Sequence, residues 1–189
     1  HYSSRRQRQM CIRDSTRTED GLPGWLRFDY SISKKWKVRV GLLSIGAFVS
    51  IFSGTFVSTT PGANFGCGVD GLPDSWPLCN GKIIDSVEDV VAQSQIIHRW
   101  FVGLMLIALI FASYSISNEQ SGNNVLRNWI WGSTFFFFVN TSIGAIYVLS
   151  WDLEEGFFEF LSLVHLMMAS LTFVTMAISW IGCSIAEDG

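Results

Sequence analysis

Two histidines carry the chemistry that this chain spells out. His98 stands in Gln95-Ile-Ile-His98-Arg99-Trp-Phe and His165 in Leu163-Val-His165-Leu-Met-Met, each inside a long apolar stretch. A polar ring in hydrocarbon must find a partner, so an imidazole within a membrane helix is first read as a functional group. Haem iron takes axial imidazoles, and one histidine from each of two facing helices is enough to clamp it. Zinc would ask for three or four nitrogen, sulfur or oxygen ligands, and no third ligand is near in either stretch. A blander reading has each histidine hydrogen-bonding a neighbouring helix. That reading is weaker for two histidines at one depth.

The elements that must position these rings are apolar runs. Of 189 residues, 49% are hydrophobic and 15% charged, with a mean hydropathy of +0.32, which is too apolar for an ordinary soluble domain. An all-α membrane protein is expected, a four-transmembrane-helix bundle with a disulfide-capped outer loop. Spans are predicted over about 40–57, 96–116, 128–149 and 157–181, near the roughly 20 residues a crossing needs. Residues 1–15 do not read as a natural start and are taken as an adapter-derived or disordered tail, so His1 and Cys11 carry no weight. Residues 16–39 form a polar N-terminal segment ending in the basic collar Lys34-Lys35-Trp36-Lys37-Val38-Arg39. Positive residues mark the cytoplasmic side, which places both termini inside an integral protein of a prokaryotic plasma membrane. Residues 182–189 are a short tail. The net charge of −3, without a basic patch, implies no nucleic-acid partner.

The first loop, 58–94, is rich in Gly, Pro, Asn and Asp and is no crossing. Its acidic residues, among them Asp85, Glu88 and Asp89, suit an outer face, as do Asp152, Glu154 and Glu155 in the third loop. Residues 85–94 could form a short surface helix. Of four cysteines only Cys67 and Cys79 share a segment, which suggests one loop disulfide on the face where disulfides persist.

This topology puts His98 near the outer end of span two and His165 about two turns below the outer end of span four. Ser162, Ala169 and Thr172 share the face of His165, and their size leaves room for a flat macrocycle. Val102 and Met105 share the face of His98, and Arg99 is placed to pair with a haem propionate.

Three pieces now add up to a resemblance: Trp76-Pro77-Leu78-Cys79-Asn80-Gly81 with the earlier Cys67, His98-Arg99 opening span two, and Val164-His165-Leu166 in span four. A softer piece is Gly144-Ala145-Ile146-Tyr147-Val148-Leu149. In this order they resemble the haem A synthase family over roughly 38–181. The resemblance implies bis-histidine haem sites in four-helix units, with an outer-loop disulfide. It implies haem b as cofactor and haem o as substrate, a methyl group of haem o being oxidised to a formyl for terminal oxidases. His98 and His165 match the ligand positions, and Cys67 and Cys79 match the loop cysteines. Haem o synthase, or oxidase assembly factors, are the implied partners beside membrane lipid.

Three departures stand out. Many members join two four-helix units, whereas this chain shows one; a homodimer or a missing second unit would supply the other. The cysteines are more widely spaced. Gln95 occupies the position of the family's catalytic Glu, and an amide cannot titrate. Glu88, Asp89 or Glu159 are the carboxylates that could stand in. Gln95 therefore keeps a non-enzymatic reading open: an assembly factor, haem chaperone or electron carrier. Quinone-linked disulfide-generating enzymes are a further class, but they use a Cys-x-x-Cys that this sequence lacks. Small residues and Asn140 acting only as helix glue, with no cofactor, are the last reading.

Overall fold

Among the described residues the chain forms four long helices: α1 (Tyr30–Thr59), α2 (Val90–Ser117), α3 (Val125–Leu149) and α4 (Glu159–Glu187). The computed structural model describes residues 23–83, 90–119, 124–151, 156 and 158–187. All four helices are long and apolar enough to cross a membrane. They pack in a ring, α1 on α2, α2 on α3, α3 on α4, and α4 back on α1. Consecutive helices run antiparallel, so α2 and α4 are parallel and occupy one diagonal. Large apolar side chains such as Leu42, Phe52, Leu104, Phe111, Phe135 and Met167 cover the outside, where a soluble bundle would be polar.

The helices reach further than hydropathy indicates. α1 begins at Tyr30 because Asp29 caps it, accepting from Ser31 N (2.9 Å) and Ile32 N (3.3 Å). Those bonds hold the Asp29 carboxyl below its ordinary range, with the Ser31 hydroxyl the largest cause. The basic collar is thus helical; its Trp36, and Ile32 and Ser33 just before it, are buried while Lys34 and Lys35 stay exposed. Arg39 stacks over the Trp36 ring at 5.0 Å. Likewise Val90–Ser94 belongs to α2, not to a separate surface helix. Residues 1–22, 84–89 and 152–155 lie outside the described residues, and with them the tail, Cys11, Asp85, Glu88, Asp89 and the acidic third-loop group.

Packing divides the bundle lengthwise. Away from the long loop the interior is a continuous apolar core in which Trp36, Val40, Leu109, Ile130, Phe137 and Met176 are almost fully buried. Small polar residues join the helices there: Ser113 Oγ meets Thr134 Oγ1 at 2.7 Å, and Ser133 Oγ donates to Thr175 Oγ1 at 2.7 Å. Lys35 Nζ bonds Glu119 Oε1 at 2.6 Å at that end, tying α1 to the α2–α3 connection.

At the opposite end the loop after α1 folds down as a cap. Cys67 and Cys79 form the expected disulfide. Cys79 and Lys82 exchange backbone bonds (2.8 and 3.0 Å) around Asn80-Gly81, both at positive φ, the conformation that an Asn-Gly pair adopts readily in a tight turn. The buried disulfide packs on Ala92 and Ile96 of α2, so the cap rests on the helix that carries His98.

Candidate haem-binding site

Beneath the cap the bundle opens into a cavity of about 300 Å³, the lower end of the usual ligand range of roughly 300–1,000 Å³. All four helices line it, and His98 and His165 are both in its wall. Their ring centres are 6.4 Å apart and the ring planes stand at 85°. With a metal–nitrogen bond of about 2.0 Å and about 1.1 Å from nitrogen to ring centre, two imidazoles on one metal would stand roughly 6.2 Å apart. The observed separation of the ring centres is close to that span.

Each ring is held by the helix that precedes its own. His165 Nδ1 lies 2.8 Å from the backbone oxygen of Asn140 on α3. A carbonyl only accepts, so Nδ1 carries the proton. His98 Nδ1 lies 2.9 Å from Ser53 Oγ on α1, and that hydroxyl already donates to Ser50 O (2.9 Å). With the Ser53 proton on Ser50 O, Ser53 accepts from His98, and Nδ1 is again the protonated nitrogen. In both rings the Nε2 lone pair is left for a metal, the tautomer that second-shell bonds impose on ligating histidines.

The same two helices make room for the rings. A Cβ on Gly54 of α1 would sit 3.1 Å from His98 Cε1, and one on Gly144 of α3 would sit 2.8 Å from His165 Cε1. α1 with α2 and α3 with α4 thus repeat one device: a glycine and a hydrogen-bond acceptor on the first helix, an imidazole on the second. Gly54, Ser53 and Gly144 were legible only as small or polar residues. Their pairing with particular histidines exists only across helices.

The other anticipated residues divide. Val102, Ser162 and Ala169 line the cavity. Thr172 is fully buried below it, and Met105 belongs to the apolar core, its sulfur against Gly46. Arg99 lines the cavity but is already engaged: Nη1 donates to Ser75 O (2.9 Å) and Leu78 O (2.7 Å), and Nη2 to Gln95 Oε1 (2.7 Å). Gln95, 5% exposed, donates its Nε2 to Ala63 O. Gln95 and Arg99 together staple the cap to α2. The amide is needed there as donor and acceptor at once, a pairing that a carboxylate cannot make. Among the described residues, the Glu159 carboxylate communicates with the cavity wall. Asn64 Nδ2 donates to Tyr147 Oη (3.3 Å), which donates to Glu159 Oε1 (3.4 Å), and both Asn64 and Tyr147 line the cavity.

Among the described residues no group of three or more His, Cys, Asp or Glu could hold a metal. Two imidazoles cannot complete a coordination sphere, so a metal bound between them must bring its equatorial ligands. A planar macrocycle does that, and the two glycine cradles seat the imidazoles that would hold it. The residues present therefore fit haem. Compared with known proteins, the chain matches no family model, no curated protein and no solved structure.

Proposed function

We propose that this protein binds haem between His98 and His165, and that it acts as the haem A synthase resemblance implies, oxidising a methyl group of haem o to a formyl for terminal oxidase assembly. The observation that carries the haem reading is the pair of imidazoles 6.4 Å apart, both with Nδ1 occupied. Bound haem, whether haem b as cofactor or haem o as substrate, supplies a one-electron iron couple and a reactive periphery. The chain's own residues do the rest. Ser53 and the Asn140 carbonyl orient the rings and raise the basicity of Nε2. The disulfide-tied cap contributes Asn64 and Trp76 to the cavity wall. Arg99 keeps N–H groups beyond its three protein bonds and can present them to a propionate. Tyr147 and Glu159 form the route by which a proton could pass between the cavity wall and the capped surface.

The basic collar at the N-terminal end of α1 supports a topology with both termini cytoplasmic and the cap outside, in a prokaryotic plasma membrane. Haem o synthase would hand on the substrate there. A second copy of the chain would give the two haem sites of the longer family members.

A second reading, a haem carrier or assembly factor without synthase activity, is favoured by one observation. Gln95 is locked between Arg99 and Ala63 and cannot take up a proton. Two measurements separate these readings. Purified wild type should show a low-spin reduced-minus-oxidised spectrum that His98→Ala and His165→Ala each abolish; a colourless wild type ends the haem proposal. Cells co-expressing haem o synthase should then yield haem A, and haem o alone would leave the carrier reading.

A further inference from the structure

Asn140 lies one turn before Gly144 on α3, in the wall of the cavity, and is 3% exposed. Its backbone oxygen serves His165. Its side-chain Oδ1 is buried with no hydrogen-bond partner among the described residues. Neighbouring hydroxyls do not serve it: Ser50 Oγ donates to Gly46 O (2.9 Å) and Thr141 Oγ1 to Phe137 O (2.9 Å). An acceptor buried without a donor destabilises the ligand-free chain, so a group absent from the protein itself would be expected to complete it.

We propose that Asn140 is a specificity residue of this cavity, its Oδ1 accepting a hydrogen bond from an O–H group that arrives with the porphyrin. This rests on the haem-binding reading. The cavity wall holds no carboxylate to pair with a charged ammonium, and its apolar members, Ala47, Val102, Phe137 and Ala169 among them, disfavour burying one. A metallated macrocycle has no N–H left, so the donor is an O–H: a hydroxyalkyl substituent on the ring, or a water trapped beside it.

The test is a Soret titration of the full chain in detergent with two haems, protohaem and one bearing a hydroxyalkyl side chain. If the ligand supplies the hydroxyl, wild type prefers the hydroxyalkyl haem about tenfold, a usual worth of one well-made hydrogen bond. Asn140→Leu then erases the preference while keeping the bis-imidazole spectrum and the protohaem affinity. Asn140→Ser, which retains an oxygen, keeps part of it. If water is the donor, wild type shows no preference, Asn140→Leu weakens both haems alike, and Asn140→Ser restores both. Unchanged affinities for both haems in Asn140→Leu overturn the assignment and leave the haem reading standing. Failure of wild type to bind either haem overturns both.

Discussion

Alanine at Gly144 sets two effects against each other. Helix propensity favours alanine over glycine by about 1 kcal/mol in a helix interior, and the usual expectation is a more stable protein. Here the new methyl would stand 2.8 Å from His165 Cε1 and 3.1 Å from Nδ1. Carbon atoms rest at about 3.5–4.0 Å, so the ring must retreat by about 0.7 Å. The α3 backbone cannot give way, because α3 is packed along α4. Retreat stretches the 2.8 Å bond from Nδ1 to the Asn140 oxygen towards the limit of hydrogen bonding, and the ring loses its orientation. Changes in the outer shell of a metal ligand typically cost about 10–100-fold in affinity, and Gly144→Ala should lie in that range for haem. At Gly54 the added methyl meets His98 Cε1 at 3.1 Å, a shortfall of about 0.4 Å, and the loss should be smaller. The assay is a Soret titration, with low-spin character followed by electron paramagnetic resonance and a thermal melt of the ligand-free protein. Wild-type haem affinity in Gly144→Ala, or a greater loss in Gly54→Ala, would refute the glycine-cradle reasoning.

Three further outcomes follow from the cap and the helix ends. Gln95→Ala leaves Ala63 O and an Arg99 N–H without partners and should destabilise the chain by about 2–4 kcal/mol, seen as a lower melting temperature and faster amide exchange across 63–67. Cys67→Ser with Cys79→Ser, or reductant on the wild type, opens a closure of sequence separation 12 and should cost about 2–4 kcal/mol, read by limited proteolysis of the loop. The Lys35 ammonium holds Glu119 below the usual carboxylate range. The stability this contributes is therefore present above the unfolded-state value and lost as pH falls through the lower folded value. Lys35 is half exposed, so Glu119→Gln should cost less than about 1 kcal/mol and flatten the melting temperature on the acid side of neutrality.

The sequence by itself determined the number and kind of elements, because apolar run length against bilayer thickness is a one-dimensional property. It also determined the disulfide, since Cys67 and Cys79 are the only cysteines sharing a loop, and it pointed to His98 and His165, since imidazoles are rare in such runs. Helix starts were less legible. Asp29 caps α1 within a stretch read as polar segment, and a buried face including Trp36 lies inside a basic collar whose average is hydrophilic. What only the tertiary structure decided is which groups meet. That Ser53 and Gly54 attend His98, that the Asn140 carbonyl and Gly144 attend His165, and that Gln95 and Arg99 hold the cap all depend on neighbours from other parts of the chain. Periodicity fixes the face a residue occupies on its own helix. The partner opposite that face is set by how four helices pack, and no spacing within one helix encodes it.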